Sequence, residues 1–324
     1  MATLTLAKAL NEGLRAAMER DPKVLVMGED VGKLGGVFRV TDGLQKDFGE
    51  QRVLDTPLAE SGIIGTAVGL AIRGFRPVCE IQFDGFVFPG YDQIVSQLAK
   101  LHFRSQGKVP VPVVVRIPFG GGIGAVEHHS ESPEALFAHV PGLKVVACSN
   151  AVDAYWMIQQ AIASDDPVIF FEPKRRYWEK AELDHDATPP PLHSAQVVRP
   201  GSTLTLVGYG AVLKTCLEAA TAAAEDGNDL EVIDLRTLSP LDLEPVVASV
   251  RRTGRLVVVA EAPSETSVAS EVAARVQEEC FLSLEAPVLR VTGFDTPYPP
   301  SKCEDDYIPD LDRVLDAVDR SLAW

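Results

Sequence analysis

Short, almost continuously apolar runs, each followed by a longer helical pattern, limit the folds that this chain can adopt. The runs in its first half are Val24–Asp30, Arg76–Phe83, Val111–Pro118, Leu143–Ser149 and Pro167–Pro173. Strands that are apolar on both faces belong to sheets covered on both sides, and such sheets are mostly parallel. Helix candidates lie between the runs at Glu60–Arg73, Pro89–Ser105 and Asp153–Ser164. The pattern predicts an α/β domain.

The alternation breaks once and then resumes. Pro173–Gly201 contains many charged residues, three consecutive prolines and no clear periodicity, which is typical of a linker. A second β/α series follows, with strands predicted in TLTLVGYG, DLEVIDLRTL, RLVVVAEA and PVLRVTGF. We therefore predict two doubly wound α/β domains, residues 1–175 and 201–324, joined by a linker at residues 176–200. The length of 324 residues agrees with two domains.

Charge and cysteine content exclude several classes of protein. The net charge of −16 argues against a nucleic-acid partner, because binding to a polyanion depends on clustered lysine and arginine. The first 22 residues predict an amphipathic helix, not a signal peptide, and no apolar run is long enough to span a bilayer. Five scattered cysteines without CxxC spacing are typical of reduced thiols. We expect a cytoplasmic protein without a membrane partner.

Glu60 begins a run of apolar and small residues that predicts a helix packed on most of its surface. A carboxylate at the entrance to a packed interior is destabilising unless something pairs with it. Two interpretations are open: the helix dipole alone favours Glu60, or a group outside the helix pairs with it. Gly62, Gly65 and Gly69 each lower helix stability by about 1 kcal/mol, which indicates close packing against another element or another subunit.

Two further loops follow predicted strands and contain candidate site residues. Arg116–His139 runs from a strand through a glycine-rich loop to the adjacent His128 and His129, and then to a predicted helix start. Loops after the carboxyl ends of parallel strands bind ligands in such sheets, so a catalytic histidine and an ordinary loop histidine are both open. Metal binding by the two histidines is disfavoured, because adjacent side chains diverge and no HExxH or CxxC partner exists. Glu29 lies at the end of the first predicted strand, where a solvated turn and a site are both open.

Six segments follow one another along the chain: GEDVGKLGGVF, DTPLAESGIIGTAVGLA, EIQFDGFVFPGYDQIVSQLAK, HHSESPEALFAHVPGLKVV, EVIDLRTLSPLD and VTGFDTPYP. Together they resemble the β subunits of thiamine diphosphate-dependent 2-oxo acid dehydrogenases, the decarboxylating component of large multienzyme complexes. HSESPEALFAH, IFFEPK and EECFLSLEAPVLRVTGFDTPYP are most similar to the branched-chain enzyme, with pyruvate and acetoin enzymes as alternatives. The resemblance implies an N-terminal pyrimidine-binding thiamine diphosphate fold and a C-terminal, transketolase-C-like Rossmann-type domain.

The resemblance also implies roles for four of these residues. Glu60 would hydrogen-bond N1′ of the cofactor's aminopyrimidine ring, which favours the tautomer that takes a proton from the reactive thiazolium carbon; the cofactor supplies the electron sink. His129 would orient the 2-oxo acid and assist acyl transfer to a lipoyl arm. Phe86 would pack against the aminopyrimidine, at a position where branched-chain relatives often have tyrosine and pyruvate relatives phenylalanine. Glu29 would belong to the surrounding carboxylate network.

Relatives of this family can bind a structural potassium ion through main-chain oxygens and one side chain. The matching positions are Val111, Val113, Val114, Ala161, Ser164 and Asp166. Asp166 replaces an asparagine, so a potassium ion and an empty or differently filled site are both open.

The chain lacks the GDG motif with a downstream asparagine that holds Mg²⁺ and diphosphate in thiamine enzymes. In the family the α subunit holds them, so the resemblance implies a cofactor at the α/β interface of an α₂β₂ heterotetramer. The C-terminal acids Glu304, Asp305 and Asp306 and the Trp324 carboxylate would meet a basic subunit-binding domain of the lipoyl-bearing acyltransferase component. A non-catalytic Rossmann-like scaffold subunit is the rival from another class. A self-sufficient transketolase-type enzyme is disfavoured by the missing motif.

Overall fold

Two mainly parallel sheets organise the chain, and the computed structural model describes all residues, 1–324. The strands are β1 (Ala2–Thr5), β2 (Val24–Gly28), β3 (Val53–Asp55), β4 (Arg76–Glu80), β5 (Val114–Phe119), β6 (Lys144–Ala147), β7 (Val168–Pro173), β8 (Lys180–Leu183), β9 (Gln196–Arg199), β10 (Leu204–Gly208), β11 (Leu230–Asp234), β12 (Thr237–Ser239), β13 (Leu256–Pro263) and β14 (Leu289–Gly293). The α-helices are α1 (Leu6–Arg20), α2 (Leu44–Phe48), α3 (Glu60–Ile72), α4 (Ala99–Arg104), α5 (Glu134–Ala138), α6 (Ala151–Ala163), α7 (Val212–Glu225), α8 (Glu244–Thr253), α9 (Val268–Cys280), α10 (Glu304–Tyr307) and α11 (Leu311–Leu322).

The larger sheet has seven strands in the order β12-β6-β7-β5-β4-β2-β3. Six strands are parallel, and β12 adds an antiparallel edge. Neighbouring residues of one strand, such as Val26 and Met27 or Val78 and Cys79, belong to two different buried clusters. Because successive side chains point to opposite faces of a sheet, both faces are covered. Continuous apolar runs therefore form this sheet, as predicted.

The smaller sheet has five strands in the order β14-β13-β10-β11-β9, of which only β9 is antiparallel. Helices α7 and α11 share a buried cluster with one face of this sheet. Val207, Ile233 and Val258 of the smaller sheet belong to the same buried cluster as Val115 and Ile169 of the larger one. The two sheets are therefore packed together through a continuous hydrophobic core. The domain boundaries themselves stay a prediction.

Several predicted elements differ from the observed ones. Strands β8 and β9 lie inside the predicted linker, where they pair with β1 and β11 as short strands whose side chains are partly exposed. Such strands lack the continuous apolar pattern that reveals buried ones. The predicted helix at Pro89–Ser105 is divided: a 3₁₀ segment covers Asp84–Gly90, a π-helix covers Gln93–Leu98, and α4 follows.

No helix of the structure combines the length and the apolar character needed to cross a membrane. The cytoplasmic location stays a prediction.

A buried ion triad joins three neighbouring strands of the larger sheet. Arg116 on the central β5 donates to Glu80 of β4 at 2.6 Å and to Glu172 of β7 at 2.6 and 2.8 Å. The Tyr177 hydroxyl also donates to Glu172, at 2.7 Å. All three charged side chains are at most 5% exposed. Burial and the nearby Glu172 raise the pKa of Glu80, and Arg116 opposes this change.

We expect Arg116→Met to lower the free energy of unfolding by about 3–5 kcal/mol, because it leaves two buried carboxylates without a cation. Denaturant unfolding followed by circular dichroism measures this difference. Arg104→Met, at an exposed position, is the control and should change it by less than about 0.5 kcal/mol. Equal effects of the two substitutions would contradict the stabilising role of the triad.

A buried carboxyl group lies where the two sheets meet. Glu134, the first residue of α5, is fully buried and accepts a hydrogen bond from the Tyr209 hydroxyl at 2.7 Å. Its second carboxylate oxygen has no partner. Burial raises the pKa of Glu134 to about 7. The folded chain therefore holds this proton at a pH at which the unfolded chain has lost it.

We expect the contribution of protonated Glu134 to stability to be complete below about pH 4.5 and to be lost as the pH rises to about 7. Glu134→Gln cannot ionise, so its free energy of unfolding relative to the wild type should rise by up to about 3 kcal/mol across that window. Parallel denaturant titrations of both proteins at a series of pH values measure the change. A constant difference across the window would mean that Glu134 titrates normally.

Candidate active site

Four neighbouring parallel strands bring the predicted site residues to one edge of the larger sheet. The strands β5, β4, β2 and β3 are adjacent in that order, and their carboxyl ends meet there. The residues that follow these strands are His129 after β5, Phe86 after β4, Glu29 after β2 and Glu60 after β3. The edge formed by strand carboxyl ends is where ligands bind in such sheets.

Glu60 is the first residue of α3 and is only 8% exposed. Its carboxylate forms no hydrogen bond or ion pair within the chain, and the positive end of α3 favours its negative charge. The Asp84–Gly90 segment packs closely here, since a Cβ at Gly90 would lie 3.2 Å from the main-chain oxygen of Glu60. Glu60 is thus placed in a packed environment without a partner from its own chain.

Glu29 is close enough to Glu60 for the two charges to interact. Burial raises the pKa of Glu29, and the charges of Asp30 and Glu60 raise it further. A carboxyl group of this kind retains its proton at a higher pH than an exposed glutamate. The structure therefore places two acidic side chains, from adjacent strands, near each other at this edge.

His129 lies between two aromatic rings of the segment after β4. Its imidazole stacks on Phe83, with ring centres 3.9 Å apart and 23° between the planes. Phe86 contacts it edge-on, with ring centres 5.1 Å apart. The Nδ1 atom of His129 is buried and has no hydrogen-bond partner. The neighbouring His128 is exposed and lies 3.6 Å from Glu127.

A second group of residues near this edge was not predicted from the sequence. Asp84 and Lys174 form a fully buried ion pair, and Asp84 also accepts a hydrogen bond from the main-chain N–H of Glu131 at 2.6 Å. Both charged residues directly follow long apolar segments, after β4 and β7. In the sequence, the only sign of this ion pair is a charged residue directly after each apolar segment.

The glycine-rich loop that leads to His129 is held by the C-terminal half of the chain. The Gly121 N–H donates to Glu261, and the Gly124 N–H donates to Glu304 at 3.0 Å. A Cβ at Gly121 would overlap the Tyr298 hydroxyl, so only glycine permits this approach. The C-terminal half of the chain therefore helps to define the path of the loop.

This contact corrects the prediction for one of the C-terminal acids. Glu304 is buried, and besides the loop N–H it accepts a hydrogen bond from the Tyr298 hydroxyl at 2.7 Å. It is therefore engaged within the chain and unavailable to a partner protein. Asp305, Asp306 and Trp324 are exposed.

The residues at this edge fit the aminopyrimidine part of thiamine diphosphate. Glu60 offers a carboxylate without a partner and Phe86 a half-buried aromatic ring, and the buried, unpartnered nitrogen of His129 at the same edge remains available for a substrate. A flat heterocycle with ring nitrogens can satisfy such groups by hydrogen bonding and stacking.

Several of the atoms predicted to bind potassium make other contacts within the chain. The Arg76 guanidinium donates to the main-chain oxygen of Ser164 at 2.9 Å, which places a positive charge beside one of the expected ligands. The main-chain oxygen of Val113 accepts from a neighbouring strand. Asp166 lies 3.7 Å from the Lys144 ammonium. These contacts fit a bound cation poorly, and potassium stays a prediction.

Comparison with known proteins identifies the two halves of the chain. The family described as "Transketolase, pyrimidine binding domain" matches residues 2–179, and "Transketolase, C-terminal domain" matches residues 193–314. A solved structure titled "Split gene transketolase, inactive beta4 tetramer" has a TM-score of 0.81 at 21% identity, covering 99% of this chain and 98% of that chain. These matches confirm the predicted fold class.

Relatives of higher identity are similar over nearly their whole length. The pyruvate dehydrogenase E1 component subunit beta of Leifsonia xyli is 63% identical, covering 99% of this chain and 96% of the relative. The 3-methyl-2-oxobutanoate dehydrogenase subunit beta of Mycobacterium tuberculosis is 54% identical, covering 99% and 92%. The pyruvate dehydrogenase E1 component subunit beta of Bacillus subtilis is 46% identical over 100% of both chains. The chain therefore belongs to the thiamine diphosphate-dependent family of 2-oxo acid dehydrogenase E1 β subunits.

Proposed function

We propose that this chain supplies the aminopyrimidine-binding half of a thiamine diphosphate site and that an α subunit supplies the other half, with Mg²⁺ and the diphosphate, in an α₂β₂ heterotetramer. The assembly would decarboxylate a 2-oxo acid and transfer the acyl group to a lipoyl arm of an acyltransferase component. The observation that supports this best is Glu60, a buried carboxylate without a partner in its own chain, at the same sheet edge as His129. A non-catalytic scaffold subunit has no need for such a carboxylate.

Each residue at the sheet edge has a distinct task in this proposal. When bound, the cofactor provides the electron sink for decarboxylation. Glu60 holds a proton at the aminopyrimidine N1′ position, and the positive end of α3 keeps its carboxylate in place. Phe86 packs against the heterocycle and Glu29 belongs to the carboxylate network behind Glu60. His129 orients the 2-oxo acid and moves a proton during acyl transfer, as an imidazole can near neutral pH.

We propose a branched-chain 2-oxo acid as the preferred substrate. The segments HSESPEALFAH and IFFEPK support it, as does the similarity to the 3-methyl-2-oxobutanoate dehydrogenase subunit beta of Mycobacterium tuberculosis. Pyruvate is the second candidate, favoured by Phe86 and by the higher identity to the pyruvate dehydrogenase E1 component subunit beta of Leifsonia xyli.

We expect Glu60→Gln to lower 2-oxo acid decarboxylation by the reconstituted heterotetramer roughly 100-fold or more, because the amide cannot share a proton with the ring nitrogen. The rate with an artificial electron acceptor measures this loss. Glu50→Gln, at an exposed position between α2 and β3, is the control and should retain full activity. Unchanged activity of Glu60→Gln would contradict the role assigned to Glu60 and favour a scaffold subunit.

For the substrate, we expect kcat/KM for 3-methyl-2-oxobutanoate to exceed that for pyruvate by about tenfold or more, which is the discrimination that added methyl groups in an apolar pocket provide. The same artificial-acceptor assay, run with both acids on the wild-type heterotetramer, measures the ratio. A ratio in favour of pyruvate would overturn the branched-chain assignment and leave the decarboxylation proposal intact.

A further inference from the structure

The buried ion pair of Asp84 and Lys174 lies beside the candidate site and has no part in the function proposed above. Asp84 is completely buried, and Lys174 is only 2% exposed. Asp84 opens the segment that follows β4, and Lys174 follows β7. Because β5 lies between β4 and β7 in the sheet, the pair crosses the carboxyl end of β5, from which the chain continues to His129.

Asp84 also anchors the far end of the loop that contains His129. One carboxylate oxygen pairs with Lys174, and the other accepts from the main-chain N–H of Glu131 at 2.6 Å. The main-chain oxygen of Glu131 in turn accepts from the N–H of Gly120 at 2.8 Å. The loop Gly120–Glu131 is thus closed at its base. Glu131, whose N–H fixes the loop to Asp84, is two residues from His129.

Phe83, the residue before Asp84, lies against the face of the His129 imidazole. Its ring stacks on His129, and the Lys174 ammonium lies 5.8 Å from the centre of the same ring, a distance at which cations and aromatic faces attract. Many functional histidines are oriented by a hydrogen bond to one ring nitrogen, but Nδ1 of His129 is buried without such a partner. Its orientation therefore depends on packing.

A buried ion pair adds little net stability compared with apolar residues of similar size, but removal of one partner leaves a costly unpaired charge. Burial raises the pKa of Asp84 and lowers that of Lys174, and their attraction opposes both changes. Because both side chains are buried and each is the charged partner of the other, neither can move away without leaving an unpaired charge in the interior. A rigid link of this kind fixes the position of Phe83 and of the loop base together.

We propose that Asp84, Lys174 and Phe83 are positioning residues for His129: the ion pair holds the base of its loop, and the Phe83 ring fixes the plane of its imidazole. The part of this inference that concerns acyl transfer rests on the proposed function. The part that concerns the orientation of His129 does not.

Nuclear magnetic resonance of the full chain tests the orientation directly. Histidine labelled with ¹³C at ε1 gives one resonance for each of the six histidines, and the His129 resonance is assigned by its loss in His129→Gln. The stacked ring should shift this resonance upfield. Phe83→Leu should remove the shift, and Asp84→Asn and Lys174→Met should reduce or broaden it.

Each control substitution makes the same type of change at another site in the chain. Phe48 is half-buried, and its ring centre lies 5.5 Å from the Arg15 guanidinium, so Phe48→Leu also removes a ring beside a cation. Asp153→Asn breaks a different ion pair, with Arg236 at 3.0 Å. Neither should move the His129 resonance.

If Asp84→Asn or Lys174→Met does not fold, the double substitution, which leaves no unpaired charge, takes its place. An unchanged His129 resonance in folded variants of the ion pair would overturn the proposal.

A double-mutant cycle in the reconstituted heterotetramer tests the consequence for acyl transfer. Phe83→Leu should slow acylation of a lipoyl domain about tenfold, because small misplacements of a reacting group are costly. Phe83→Tyr, which keeps the ring, should retain most of the rate. In a His129→Ala background, Phe83→Leu should have no further effect, since it acts through the missing imidazole.

Additive losses would overturn the positioning role, because a general structural effect of Phe83 would persist without His129. Absence of any 2-oxo acid activity in the wild-type heterotetramer would instead count against the proposed function. The resonance measurement tests the orientation of His129 whether or not the heterotetramer is active.

Discussion

The carboxylate of Glu60 is buried without a hydrogen-bond or ion-pair partner from its own chain. Glu60 lies at the start of α3, which is buried along one face and not on most of its surface as predicted, and a buried charge there is costly unless a ligand or another subunit completes its surroundings. The dipole of α3 reduces this cost but does not provide a hydrogen-bond partner. The parallel strands beside it bring an imidazole and an aromatic ring to the same edge. The fold therefore brings a carboxylate, an imidazole and an aromatic ring to one edge of the larger sheet, where a ligand or another subunit can complete their surroundings.

The loop that contains His129 links this site to both halves of the chain. Its base is fixed to the larger sheet through Asp84, and its glycine-rich part donates hydrogen bonds to Glu261 and Glu304. The continuous core between the two sheets makes these contacts parts of one packed body. The C-terminal half therefore contacts the loop that leads to the imidazole through hydrogen bonds from main-chain N–H groups to side-chain carboxylates.

Much of this architecture could be predicted from the sequence, because strands that are buried on both faces have nearly continuous apolar runs. The predicted runs correspond to β2, β4, β5, β6 and β7, and the helix beginning at Glu60 is confirmed as α3. The short strands β8 and β9 could not be predicted, because an edge strand with exposed side chains resembles a linker. The pairing of Asp84 with Lys174 was equally hidden, since these residues are ninety positions apart and only the strand order brings them together. Glu304 was expected to meet a basic partner protein because it lies in a strongly acidic C-terminal segment, and the sequence does not show that its side chain is buried against the glycine-rich loop.

We propose that this chain holds only half of an active site. Decarboxylation of a 2-oxo acid with thiamine diphosphate, Mg²⁺ and an artificial electron acceptor, measured with this chain alone and then with a cognate α subunit, tests this. We expect turnover only when the α subunit is present. Comparable turnover by this chain alone would contradict it, because the diphosphate and Mg²⁺ would then have to bind to residues of this chain.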